Sequence, residues 1–323
     1  MQILKSLSYY IHFGGSYFLL LFFIFLILFY AINIYVWSVQ YLVHKNKHAR
    51  AAILIYIRSS LALTGIFIGL ALLSGIILTS VAHSTTPARA TMLAEKLLGW
   101  DKKIFGVNLP LWIHTSANPF HNILEIIGPT SLVCYSFLAL ALGLLFIAAF
   151  VRGQKFSLAV LLAFVFSEIL STPLWLSFPG LTPAARFLYN ITNTPLSPAL
   201  AAESASMYIS PAVTQFISTI KTLQTHDATP FLDVTNFPSM HIAWATLILF
   251  FGYRIWKYSA IILVPFFLLT VVATLYGLQH YGVDILAGAT IGAISCFVAV
   301  KISKKIPDNF IFSPAKIVTR TLN

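Results

Sequence analysis

The sequence predicts an all-α polytopic membrane protein with about seven transmembrane helices. Apolar residues make up 59% of its 323 positions and charged residues only 9%, whereas a soluble fold carries about 25% charged residues. The mean hydropathy of +0.87 agrees with this class. The basic residues lie in short gaps between apolar runs rather than on one polar face, so the net charge of +11 does not predict nucleic-acid binding.

Seven apolar runs predict the membrane helices, because a helix needs about 20 apolar residues to cross the hydrocarbon core. They cover residues 15–38, 60–82, 131–151, 157–178, 241–256, 259–279 and 283–303. The first run is longer than the apolar core of a signal peptide, which spans about 7–15 residues, so we predict a retained helix. We expect an N-terminal helix and loop over 1–55, a membrane-embedded domain over 56–305 and a tail over 306–323.

Lysine and arginine residues predict the orientation of these helices. Most of the 20 lie in the short gaps after the first, third and fifth runs and in the tail, which places those segments in the cytoplasm. The longer segments 83–130 and 179–240 then face the extracytoplasmic side. Within them, residues 104–128 and 203–224 are interpreted as helices that lie at the interface or re-enter the membrane; loop packing is an alternative of equal weight.

The segment Phe237-Pro238-Ser239-Met240-His241 directly precedes the fifth run. Proline and serine favour the start of a helix, so His241 is predicted in the first turn, where backbone N–H groups attract anions. An ordinary helix cap with an incidental interfacial histidine is the alternative.

The segment His280-Tyr281-Gly282-Val283-Asp284 precedes the seventh run. If it is helical, His280 and Asp284 share a face. Asp284 would then accept a hydrogen bond from one imidazole nitrogen and leave the other basic. A structural pair that closes a helix end is the alternative, and for this segment alone it is the better interpretation.

Arg186 follows the fourth run, in a segment with few basic residues. Its guanidinium suits a bidentate contact with phosphate, and a snorkelling interfacial arginine is the alternative. The predicted orientation places Arg186, His241, His280 and Asp284 at one membrane face. Such a set describes a phosphoryl-transfer site that needs no metal.

These motifs resemble a known family. Pro238-Ser239-Met240-His241 is similar to the second motif, Pro-Ser-Gly-His, of the type 2 phosphatidic acid phosphatase superfamily, and His280 to Asp284 matches the His-x-x-x-Asp end of its third motif. Their order and separation agree with the family. The resemblance implies a six-helix phosphatase-like catalytic core inside residues 56–305.

Two positions depart from the family pattern. The third motif usually carries an arginine six residues before its histidine, and Thr274 stands there. The first motif usually carries a lysine and an Arg-Pro pair, for which only Arg186 is a counterpart.

The residues of these motifs look closest to those of the inositol phosphorylceramide synthase branch. The similar segments are Phe237 to His241, Thr274-Leu275-Tyr276, His280-Tyr281 and, more weakly, Asp101 to Gly106. Members of that branch transfer a phospho-alcohol head group between lipids.

The resemblance implies a mechanism through a phosphohistidine. His280 would attack phosphorus, Asp284 would orient His280, and His241 would protonate the leaving oxygen and then activate the acceptor. The phosphate ligands would be Arg186, Ser239 and Thr274. No metal or other cofactor is implied, and the sequence has no acidic cluster that would bind one.

The sequence leaves three functions open. The first is a lipid phosphotransferase that moves a phosphoryl or phospho-head group from a phospholipid or sphingolipid to a hydroxyl, such as that of a lipid or of the polyol inositol. The second is a lipid phosphate phosphatase with water as acceptor. The third is a non-enzymatic transporter or scaffold. We expect the site on the extracytoplasmic face of a bacterial inner membrane.

Overall fold

A computed structural model describes residues 84–188, 195–224 and 234–306, with isolated helical positions between 65 and 80. The predicted run 15–38, most of run 60–82 and the tail after 306 lie outside these residues. The described chain is mostly helical. The expectation of an all-α membrane protein is therefore confirmed.

Ten α-helices and one two-stranded ribbon make up the described part of the chain. The helices are α1 Pro87–Phe105, α2 Leu109–Trp112, α3 His121–Ser136, α4 Leu138–Arg152, α5 Gln154–Ser177, α6 Pro198–Ala205, α7 Pro211–Gln224, α8 Met240–Ile255, α9 Ala260–Tyr276 and α10 Gly282–Lys305. The strands are β1 Pro179–Leu181 and β2 Val234–Asn236. A π-helical turn covers Ala184–Leu188, and a 3-10 turn covers Lys257–Ser259.

Three of these helical segments are long and apolar enough to cross a membrane: Lys155–Ser177, Lys257–Tyr276 and Gly282–Lys305. The pair α3 and α4 adds a fourth if it forms one bent span, and α8 is a shorter apolar helix. The last five predicted runs therefore all correspond to helices, and the chain is an integral membrane protein.

The predicted single helix over 131–151 is wrong in its bounds. Helix α3 already begins at His121 and ends at Ser136, and the axis bends by 50° before α4. The Ser136 hydroxyl donates to the Leu132 carbonyl, 3.0 Å away, at the break. Serine hydroxyls that bond back to the preceding turn often bend a helix.

The predicted helix over 104–128 is also wrong. Helix α1 ends at Phe105 because Gly106 adopts a left-handed φ of 77° and its N–H bonds to the Lys102 carbonyl, a stop that favours glycine. The start of α1 is marked by Thr86, whose side chain accepts from the Arg89 N–H, and by Pro87 in the first turn. The start signal and the stop signal of α1 can both be recognised in the sequence.

The predicted helix over 203–224 is two helices, α6 and α7. Pro211 begins the second one, in agreement with the preference of proline for the first turn. Both segments thus contain helices, but with different bounds from those predicted.

The ribbon and the helix core fix the start of α8. Strand β1 follows α5, strand β2 precedes α8, and they pair antiparallel with Leu181 opposite Val234. The helix core is a buried apolar cluster shared by α4, α5, α8 and α10, which includes Leu142, Phe164, Phe251 and Cys296. The ribbon was not predicted.

Candidate active site

The start of α8 places His241 in the first helical turn, as the sequence predicts. Helix α5 supports this turn through Trp175, which is buried against Met240 and whose Nε1 donates to the Pro238 carbonyl at 3.3 Å. Helix α10 supports it from the other side. There the Ser239 N–H donates to the Asp284 carbonyl at 3.1 Å.

The segment around His280 is not one continuous helix, which corrects the geometry considered from the sequence. Helix α9 ends at Tyr276, Leu278 adopts a φ of 54°, and α10 begins at Gly282. The Thr274 carbonyl accepts from the His280 N–H at 3.2 Å and so ties this turn to the end of α9.

The His280–Asp284 pair forms across the N-terminal cap of α10. Asp284 Oδ2 lies 3.2 Å from His280 Nδ1 and accepts the Tyr281 N–H at 3.1 Å. Asp284 is fully buried and His280 is 7% exposed. The carboxylate therefore fixes both the imidazole and the turn that carries it, and Nε2 lies on the other side of the ring.

Two glycines of α10 bring the two histidine segments together. A Cβ on Gly288 would stand 2.2 Å from the Ser239 carbonyl oxygen, and one on Gly292 would stand 2.8 Å from the Ala243 carbonyl oxygen. Small residues four apart let helix backbones approach closely in membranes. At this separation the His241 and His280 ring centroids are 5.7 Å apart.

Tyr135 from α3 contacts His241 directly and was missed by the sequence reasoning. Its hydroxyl oxygen is 2.9 Å from His241 Nε2 and 3.2 Å from Nδ1. The ring centroids are 4.5 Å apart. In sequence, Tyr135 is one aromatic residue within an apolar run, and nothing there signals its contact.

The N-terminus of α8 has no side-chain cap in the part of the chain that the structure describes. Ser239 makes no side-chain cap, and its buried hydroxyl has no hydrogen-bond partner among the described residues. The first-turn N–H groups carry the positive end of the helix dipole. A phosphate oxygen suits both donors.

The N-terminus of α10 is instead occupied by Asp101 from α1. Its Oδ1 accepts the Val283 N–H at 2.8 Å and its Oδ2 accepts the Gly282 N–H at 2.9 Å. Burial raises the pKa of Asp101 to about 6, against these hydrogen bonds, which lower it, and with Asp284 raising it further. In the sequence, Asp101 stands out only within a weak family resemblance, and nothing there predicts this cap.

Arg186 is buried, and its Nη2 lies 2.9 Å from Glu95 Oε1 of α1, whose side chain is 46% exposed. The same nitrogen is 3.4 Å from the Pro195 carbonyl oxygen. The guanidinium thus shares its charge with a carboxylate, and its contact with phosphate stays a prediction.

Thr274 is fully buried, and its hydroxyl donates to the Val271 carbonyl at 2.8 Å, inside α9. Its evident contribution to the site is the backbone carbonyl that holds the His280 N–H. Its contact with phosphate also stays a prediction.

A second polar cluster lies beside the end of α9. His114 Nε2 is 3.0 Å from the Tyr276 carbonyl oxygen, and the Tyr276 hydroxyl contacts Ser210 at 2.7 Å and Glu125 at 3.3 Å. Burial lowers the pKa of His114 to about 4, so this imidazole is neutral at physiological pH. The cluster ties α3 and the segments around His114 and Ser210 to the end of α9, next to the turn that carries His280.

Comparison with known proteins is consistent with this geometry. A family model described as the PAP2 superfamily matches residues 95–298, which include α1 from Glu95 onward, both histidine segments and most of α10. No curated protein and no solved structure matches the chain significantly. Members of this superfamily are generally phosphatases or phosphotransferases. With almost two thirds of its length matched, the chain belongs to the PAP2 superfamily.

Proposed function

We propose that this membrane enzyme transfers a phosphoryl or phospho-head group from a lipid to a hydroxyl acceptor through a phosphohistidine on His280. The observation that carries the proposal is the His280 Nδ1–Asp284 Oδ2 contact of 3.2 Å, with the His241 ring 5.7 Å from the His280 ring. A nucleophile oriented by a carboxylate beside a second acid–base group is the arrangement that covalent catalysis requires.

The first half-reaction moves the phosphoryl group to the enzyme. His280 Nε2 attacks phosphorus, a P–N bond forms, and the P–O bond to the leaving alcohol breaks. His241 gives its proton to the leaving oxygen, while Asp284 stabilises the positive charge on His280.

The second half-reaction runs the same steps in reverse with a new alcohol. The acceptor hydroxyl gives its proton to His241 and attacks phosphorus, and the P–N bond breaks. His280 returns to its neutral form, and His241 is protonated again for the next cycle.

The phosphate oxygens would be held chiefly at the start of α8. The unpartnered Ser239 hydroxyl and the first-turn N–H groups support this assignment. Arg186 would contribute if it exchanged part of its contact with Glu95 for phosphate. Thr274 would contribute if its hydroxyl turned from the Val271 carbonyl.

The residues of the two motifs favour head-group transfer of the inositolphosphotransferase type. The donor would be a membrane phospholipid or sphingolipid, and the acceptor would be a polyol such as inositol or a lipid hydroxyl. The distribution of lysine and arginine favours a site on the extracytoplasmic face, and we propose the bacterial inner membrane. A lipid donor would keep its tails in the bilayer while its phosphate reaches the helix ends.

Liposomes that contain the purified protein and a panel of phosphate-labelled lipids test the proposal, with products identified by mass spectrometry. We expect a new phosphoester whose yield rises with an added hydroxyl acceptor, either a polyol such as inositol or a lipid alcohol. Free phosphate as the only product would contradict transfer and identify a lipid phosphate phosphatase. Full biological activity of His280→Ala would contradict both enzymatic readings and favour a transporter or scaffold.

A further inference from the structure

We infer that Tyr135 is a positioning residue for His241, and that it does for this histidine what Asp284 does for His280. The inference rests on the proposed function, because it assigns a partner to the acid–base group of that reaction. The Tyr135 hydroxyl lies beside the imidazole, 2.9 Å from His241 Nε2 and 3.2 Å from Nδ1, so that a small turn of the ring brings either nitrogen into line with it.

The surroundings of His241 single out this contact. Its aromatic neighbours are Tyr135, Trp244 and His280, with ring centroids 4.5, 6.0 and 5.7 Å away. Among the described residues, the Tyr135 hydroxyl is the hydrogen-bond partner of the imidazole. A catalytic imidazole with no such partner has no fixed ring orientation or tautomer.

A phenol differs from a carboxylate as an orienting group because it is neutral. It accepts from an imidazole N–H or donates to an imidazole lone pair, so it can stay bonded to His241 in both protonation states. Asp284, in contrast, is an anion and would stabilise the positive charge that forms on His280 during attack. The two histidines thus have partners that match different tasks: a stabilised cation during attack and a proton donor and acceptor during alcohol exchange.

Helix α3 holds the phenol in place. The Tyr135 ring packs edge-on against Phe216 of α7, with centroids 6.0 Å apart. The bend of 50° after Ser136 lies directly beyond Tyr135. The kink and the aromatic contact together set the position of the hydroxyl over His241.

Tyr135→Phe removes the hydroxyl and keeps the ring, so it tests the inference directly. The assay uses the full-length protein in liposomes and two phosphoester substrates, one with an alkyl alcohol as leaving group and one with nitrophenol. Release of the leaving group is followed in a single turnover, because both substrates share the second half-reaction, in which His241 takes the proton of the acceptor. Nitrophenolate leaves without a proton, and a defect in His241 should therefore matter less for this first step. Tyr253→Phe, the same change at an exposed position on α8, is the matched control.

For the alkyl substrate, we expect Tyr135→Phe to lower the single-turnover rate of alcohol release by about 10- to 100-fold, as the loss of a group that orients a metal-binding histidine does, with little change in the substrate concentration that gives half the maximal rate. We expect His241→Ala to have a larger defect of the same kind, and both defects to shrink for the nitrophenyl substrate. The pH profile of kcat should also be displaced in Tyr135→Phe and not in Tyr253→Phe.

An equal loss of the single-turnover rate on both substrates, or a loss that follows a lower unfolding temperature, would overturn the inference. Wild-type kcat and pH profile in Tyr135→Phe would also overturn it, although the proposed function would stand if His241→Ala were impaired. If the wild-type protein acted on no phosphoester, the proposed function itself would fail.

Discussion

The Asp284 carboxylate holds both the start of helix α10 and the imidazole of His280. Its Oδ2 accepts the Tyr281 N–H, which begins α10, and contacts His280 Nδ1. A neutral amide at this position can still accept the backbone N–H through its oxygen, but it cannot stabilise a charged imidazole. The cap and the catalytic role can therefore be separated by one substitution.

We expect Asp284→Asn to lower kcat by about 10²- to 10⁴-fold, the range of a lost acid–base contribution, while the thermal unfolding midpoint in detergent changes little. Steady-state kinetics and unfolding curves on the same preparation check this. Activity near that of the wild type would show that the His280–Asp284 pair is structural only.

The sequence predicts those site residues that lie within one motif, and it does not predict contacts between residues that are far apart in the chain. His241 lies in the first turn of α8, two residues after Ser239, as predicted. Tyr135 is 106 positions from His241, and Asp101 is 181 positions from Gly282. No local spacing rule reaches across such separations.

Among the helices, the contact between α8 and α10 sets the distance between the two histidines. Gly288 faces the Ser239 carbonyl, where a Cβ would stand 2.2 Å from the oxygen. Since a backbone atom cannot rotate away as a side chain can, an added methyl group must push the two helices apart.

We expect Gly288→Ala to destabilise the protein by about 1–3 kcal/mol, as overpacking does, and to reduce activity because His241 moves away from His280. Gly99→Ala is the control, since its Cβ would meet nothing within 4 Å and alanine favours a helix by about 0.5–1 kcal/mol. Thermal unfolding and kcat measured for both variants check this. Wild-type values for Gly288→Ala would contradict the close helix contact.

Element boundaries were predictable where the chain carries its own signals. Thr86 and Pro87 start α1 and Gly106 ends it, so this helix could have been predicted from the sequence. The break between α3 and α4 lies in an uninterrupted apolar run, where hydropathy alone cannot place it. The ribbon could not be predicted either, since its strands are three residues each.

For the whole molecule, Asp101 joins helix α1 to the start of α10. Its pKa is raised from 3.8 to about 6, mainly by burial. A carboxyl whose pKa is higher in the folded state stabilises the protein most below pH 3.8, and this contribution is lost as the pH rises through about 6. The difference between these two pKa values corresponds to a change in the free energy of unfolding on the order of 3 kcal/mol.

We therefore expect the stability advantage of the wild type over Asp101→Asn to be largest near pH 4 and to shrink by pH 7. His114, with its pKa lowered to about 4, has the opposite effect, because its contribution is lost as the pH falls below about 6.5. It is present in both proteins and cancels in the difference. Unfolding midpoints across this pH range check the prediction, and a difference independent of pH would contradict it.

The central claim is that His280 carries the phosphoryl group, and a phosphoenzyme trapped by rapid quenching in alkaline denaturant tests it most directly. The protein in liposomes is mixed with phosphate-labelled lipid, denatured within the first turnover and digested for mass spectrometry. The proposal predicts an acid-labile, alkali-stable label on the peptide that contains His280, absent in His280→Ala. Turnover by the wild type with no such label, or the same label in His280→Ala, would contradict it.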